Sequence, residues 1–305
     1  MRGGGGQLRA ISSIVKATAL EVLSEPLTLL VLLSALALAV FAPAFHYHQF
    51  GDATRMARDA GFSALLTGGL LVAIFGAVRS FRREIESGTL EMALAHPVSR
   101  TGFFLAKTAG VAVATLVFSL VVLGMTVVVF VGADIGGRIA RESGDIARLF
   151  GPCLATGIGI LVLPLVLGAA LNRFAHFRFV LTSVVTAFGL SVAAAVVWTA
   201  LTHGRTLRLV PVAIPIVLFA DVFLSAAAAG AVRFKVSVVT AALGLLFLAS
   251  VPVIGNYYLV DALGRMGTLP WSYVGWAALV TVPAVAAFLL LGVHFINGRD
   301  IQWTM

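Results

Sequence analysis

The chain has one cysteine, Cys153, in 305 residues, which excludes an intramolecular disulfide framework and a multi-cysteine metal site. Charge is scarce as well. Asp, Glu, Lys and Arg make up 11% of the residues, where soluble domains carry about 25%, so the chain cannot clothe itself in a water-facing surface. It has no Gly-x-x-x-x-Gly-Lys-Ser/Thr loop and no polar stretch long enough for a nucleotide-binding domain. The run Gly3–Gly6 has no Lys-Ser/Thr after it and reads as a flexible leader. Paired acids and histidine clusters are missing from the apolar runs, which argues against an intramembrane enzyme. His46 and His48 lack a third ligand nearby and make a poor metal site. No aromatic-and-basic platform for single strands occurs. The net charge of +8 suits anionic lipid headgroups better than nucleic acid.

Hydrophobic residues, by contrast, make up 60% of the chain, and mean hydropathy is +1.05. The apolar runs are continuous over about twenty residues, the length of a membrane-spanning helix, not alternating over about ten as in barrel strands. The expected fold is an all-α polytopic membrane protein in one domain, residues 1–305. It is a bundle of six to eight transmembrane helices, eight preferred. The expected spans are 27–45, 62–78, 108–131, 149–171 (with a kink near Pro164), 179–201, 210–229, 236–254 and 274–296. Gly132, Gly136 and Gly137 open a predicted turn-rich loop that continues to Arg148, and 46–61 forms a polar loop. Residues 1–25 form a leader and an amphipathic interfacial helix, with Leu8, Ile11, Val15, Ala19 and Val22 on one face. Pro26 then turns the chain into the membrane.

Eight spans put both termini on one side. With that side in the cytoplasm, thirteen basic residues lie inside and eight outside, as the positive-inside rule favours. The runs 210–229 and 236–254 have a second reading, a re-entrant hairpin. That reading leaves Arg233 and Lys235 at membrane depth, where a central charge costs about 2.5–3.5 kcal/mol, so two full spans are preferred. Asp221 is the one acid well inside an apolar run. It is a candidate intramembrane polar site for an ion or substrate; the alternative is an interior acid paired with an Arg or Ser of a neighbouring span.

Between two apolar runs lies a polar island, Arg79 to Lys107. A basic cluster (Arg79, Arg82, Arg83) precedes acids at Glu84, Glu86 and Glu91, followed by Arg100 and Lys107. Gly88 breaks the descending helix, Thr89 caps a new short one, and Pro97 ends it. Leu90, Ala93 and Leu94 recur at i, i+3 and i+4 and give that helix one small apolar face. Ser99 is placed to cap the next helix. A short amphipathic helix held between two spans by charged hinges is suited to being gripped by another protein.

The stretch E-I-E-S-G-T-L-E-M-A-L-A-H-P-V-S-R-T-G-F-F-L-A-K resembles the cytoplasmic coupling segment of the type-2 ATP-binding-cassette (ABC-2) permeases. Glu84, Glu86, Gly88, Thr89, Leu90, Leu94, Pro97, Ser99, Arg100 and Lys107 fall where that pattern expects them, and His96 departs from it. The N-terminal helix and Gly298 to Gln302 resemble the family more weakly. The resemblance implies a permease subunit with no catalytic residue, cofactor or metal of its own. ATP and Mg would belong to a separate ABC ATPase subunit, coupled through Arg82, Arg83, Glu84, Glu86, Gly88, Thr89, Leu90, Leu94, Pro97, Ser99 and Arg100. A second permease copy or a related permease and the lipids of the cell inner membrane would be the other partners, and export is favoured over import. The alternative is an ATP-independent secondary transporter or channel. Such carriers place several ionisable residues within their spans, and here Asp221 stands nearly alone.

Overall fold

The computed structural model describes residues 4–42, 53–86, 99–143, 146–235, 238–239, 242–247 and 269–298. Among them no strand occurs. The helices are α1 (Gly4–Leu23), α2 (Pro26–Phe41), α3 (Ala53–Glu86), α4 (Arg100–Ser143), α5 (Ile146–Ala175), α6 (Phe179–Leu201), α7 (Val210–Arg233) and α8 (Trp271–Asn297). A short 3-10 turn, Arg205–Leu209, leads into α7. Six of these helices, α3 to α8, are long and apolar enough to cross a membrane, and α1 with α2 is a bent seventh candidate. The apolar run 236–254 lies largely outside the described residues, as do residues 46–52 of the predicted polar loop.

α1 and α2 meet at a bend of 62°. Pro26 sits in the first turn of α2, where its missing N–H costs nothing. The Thr28 hydroxyl reaches back to the Val22 carbonyl at 2.7 Å and fixes the corner. α1 begins at Gly4, inside the stretch expected as leader. Its Ala19 and Val22 are buried as the amphipathic pattern expects, while Leu8 is exposed. The buried face rests on α4 at Gly110. A Cβ there would stand 2.8 Å from the Val15 carbonyl oxygen and 2.6 Å from Thr18 Cβ, so only glycine permits the approach.

α3 and α4 overrun the expected loops. Residues 53–61 are helical, with Ala57, Arg58, Gly61 and Phe62 buried at helical spacing. α4 continues through Gly132, Gly136 and Gly137 to Ser143, and α5 resumes at Ile146, so the predicted turn-rich loop is helix instead. Extension of a formed helix is far cheaper than nucleation, and each glycine costs only about 1 kcal/mol against alanine. α3 has 34 residues and α4 has 44. At 1.5 Å per residue they are about 50 and 65 Å long, against a hydrocarbon layer of about 30 Å.

α4 is the axis of the bundle and packs against each of the other seven helices named above. Its core side chains include Phe104, Val111, Phe118, Val121 and Met125. α3 and α7 share the buried centre with it, whereas α5, α6 and α8 turn most of their apolar surface outward. That is the distribution expected where lipid or another apolar body surrounds the bundle.

Candidate functional site

The charged end of α3 is a junction. Arg79 and Arg83 stand one helical turn apart, as do Glu25 and Glu21 at the α1–α2 corner. The two pairs meet in a ladder, Arg79 Nε to Glu25 Oε1 at 3.1 Å and Arg83 Nη1 to Glu21 Oε1 at 3.3 Å. Arg82 points elsewhere. Its Nη2 donates to the Phe234 carbonyl just past the end of α7, and its Nη1 lies 3.9 Å from Glu86. The Phe234 ring meets Phe295 of α8 edge-on at 5.7 Å. Glu84 pairs with Lys107 of α4. Within six residues, α3 is thus tied to α1, α2, α4 and α7, and through Phe234 to α8.

Lys107 is the unusual member. Its side chain is 1% exposed in a segment whose charges the sequence suggests are solvated. Its ammonium lies 5.8 Å from the Phe81 ring centroid and 5.7 Å from that of Phe103, where the ring faces attract a cation. Phe81 in turn contacts Phe104, centroid to centroid 5.3 Å. Phe104 is wholly buried, and Gly292 of α8 sits against its ring so closely that no Cβ fits. α4 begins at this cluster. The Ser99 hydroxyl accepts the Gly102 N–H at 3.0 Å, and the Ser99 carbonyl accepts that of Phe103 at 2.9 Å, the capping role expected of it. Asn297 at the end of α8 reaches Thr101 at 3.4 Å.

The family model described as ABC-2 family transporter protein matches residues 22–194, more than half of the chain. The chain belongs to that family. Comparison with curated proteins and with solved structures gave no match. The matched stretch of this ABC-2 permease takes in α2 to α5, most of α6 and the whole polar island.

Of the residues that the permease resemblance assigns to coupling, Arg82, Arg83, Glu84 and Glu86 gather at the α3 end, and Ser99 and Arg100 open α4. Gly88, Thr89, Leu90, Leu94 and Pro97 lie outside the described residues. Arg82, Arg83 and Glu84 hold neighbouring helices of their own chain. Glu21, Glu25, Phe81 and Gly292 belong to the same junction and were not singled out from the sequence. A signal for the first two was present: acids at i, i+4 beside a helix corner, matching basic residues at i, i+4 on α3.

Asp221 takes no part in the ion pairs of this junction, although its cleft borders it at Thr108, next to Lys107. It lies midway along α7, half-buried, on a cleft of about 390 Å³ between α4, α7 and α8. It forms no ion pair among the described residues, so the expected Arg or Ser partner from a neighbouring span is not seen there. No cluster of three or more His, Cys, Asp or Glu side chains occurs among the described residues; His46 and His48 lie outside them.

Proposed function

We propose that this permease is the membrane half of an ATP-driven exporter of the inner membrane. A separate ABC ATPase, which binds ATP and Mg, engages residues 79–107 from the cytoplasm, and a second permease copy or a related one completes the pathway. The observation that carries this reading is the junction at the α3 end. The end of α3 at Glu86 and the start of α4 after Ser99, which flank the coupling stretch in sequence, are joined by the Glu84–Lys107 pair. A load applied to that stretch passes into α3 and α4 together, and through Arg79, Arg82 and Arg83 into α1, α2 and α7. Two rods longer than the bilayer is thick carry the displacement across it, as rigid-body transitions require. The direction of transport rests on the resemblance to the family.

The test is Glu86→Lys combined with Leu90→Asp. Burial of one leucine against a partner contributes about 2 kcal/mol, or about 30-fold in affinity, and the charge reversal disturbs register and partner choice. Loss of ATPase co-purification and of transport-coupled ATP hydrolysis is expected. Both unchanged would sink the coupling role.

A further inference from the structure

The cleft around Asp221 has a chemistry of its own. Its walls are mainly apolar, Leu218 and Val285 among them, and among the described residues no lysine, arginine or histidine lines it. Besides Asp221, the polar side chains are the hydroxyls of Thr108, Ser225 and Thr281, one from each wall. Each hydroxyl proton is already committed to its own helix. Thr108 donates to the Phe104 carbonyl at 2.9 Å, Ser225 to Val222 at 2.9 Å, and Thr281 to Ala277 at 2.8 Å. A hydroxyl has one proton and two lone pairs, so what these three offer the cleft is acceptor capacity. Among the described residues the cleft therefore presents a carboxylate and lone pairs, with no side-chain donor and no cation to answer them.

We infer that the cleft between α4, α7 and α8 binds an amphipathic amine, with the ammonium N–H groups on Asp221 and the neighbouring hydroxyl oxygens and the apolar body along Leu218 and Val285. This deepens the proposed transport function by naming a class of cargo, and it rests on that reading only in treating the ligand as cargo. A charge-assisted N–H···O⁻ bond in a poorly hydrated site is about twice as strong as a neutral one. An acid sits at this depth only where something compensates it. An aminophospholipid shares the ammonium but brings a phosphate, which finds no positive side chain in the cleft. The amine is therefore one without an anionic group.

The experiment uses the full chain in phosphatidylcholine nanodiscs without any ATPase, so failure of the coupling reading leaves its outcome intact. Diazirine-bearing dodecylamine is photolysed and the labelled peptides are mapped by mass spectrometry, beside the matched alcohol, carboxylate and trimethylammonium probes. The amine is expected to label α7 and α8 at the cleft at least tenfold above the alcohol and carboxylate. The trimethylammonium probe, charged but without N–H, should fall between them. Asp221→Asn should reduce amine labelling to the level of the alcohol, and Asp221→Glu should retain most of it. Thr281→Val, which removes one acceptor without touching a charge, should lower it two- to fivefold. Equal labelling by amine and alcohol, or unchanged labelling in a monodisperse Asp221→Asn protein, would overturn the proposal. Loss of the amine signal in phosphatidylethanolamine discs would overturn the choice of a phosphate-free ligand.

Discussion

Glu84 and Lys107 carry unequal shares of their pair. The glutamate side chain is 28% exposed and the lysine 1%; Glu84 Oε2 is itself buried, but the acid lies nearer the surface and gains water more readily than the ammonium when its partner is removed. Lys107→Met leaves a carboxylate close to the surface, and the methionine can pack against Phe81 and Phe103, rings that sulfur contacts favourably. Glu84→Gln leaves a buried cation with two ring faces and an amide. Breaking a buried pair costs about 3–5 kcal/mol when the remaining charge stays buried. We expect Glu84→Gln to reach that range and Lys107→Met to stay near 1–2 kcal/mol, with the double variant close to Lys107→Met. Thermal unfolding of the detergent-solubilised protein checks this. A lower melting temperature for Lys107→Met than for Glu84→Gln would show that the asymmetry of burial does not govern the pair. Both residues are visible in the sequence as flanks of the polar island. The burial of Lys107 is not, because a lysine among charges suggests solvent, and only the aromatic residues at 81 and 103, more than twenty positions apart, enclose it.

At the scale of helices, two contacts hold the bundle end together. α8 is held against α4 by the seat of Gly292 on the Phe104 ring. Phe104 is fully buried and cannot step aside, so Gly292→Ala should overpack the contact at a cost of about 1–3 kcal/mol. Phe104→Leu in the same chain should recover most of it. No recovery in the double variant would mean that the glycine serves something other than this contact. The ladder between α3 and the α1–α2 corner behaves differently. Arg79 and Arg83 are more than half exposed, and exposed pairs contribute only about 0–1 kcal/mol, so the ladder registers the helices more than it stabilises them. Glu21→Arg should leave the melting temperature within a degree or two yet impair transport-coupled ATP hydrolysis, and adding Arg83→Glu should restore it. Restoration failing while stability is unchanged would remove the ladder from the coupling path. Helix identity was legible where charge or proline marks an end. α6 spans Phe179–Leu201 as its apolar run suggests, and α8 exceeds its expected span by only a few residues. The far end of α4 was not legible, because scattered glycines signal a turn in isolation but do not stop a helix already 30 residues long.

For the whole molecule, a cytosolic motor requires that the α3 junction face the cytoplasm, and the helix order makes this testable. If α4, α5 and α6 each cross once, Glu86 at the end of α3 and Phe177 after α5 share one face, while Leu207 after α6 lies on the other. All three side chains are exposed. Arg79, Arg82, Arg83, Arg173, Arg178, Arg233 and Lys235 lie at or just past the ends of α3, α5 and α7; on that topology they share the Glu86 face, and the positive-inside rule predicts that it is cytoplasmic. Replacing Cys153 by serine removes the only native thiol, and single cysteines can then be placed at Glu86, Phe177 and Leu207. A membrane-impermeant maleimide applied to right-side-out vesicles should label Leu207→Cys alone, and inverted vesicles should reverse the pattern. Labelling of Glu86→Cys from outside would put the junction beyond the reach of any cytosolic ATPase. The ladder, the buried lysine and the long rods would then be structural features only, and the Asp221 cleft would have to be explained without a motor.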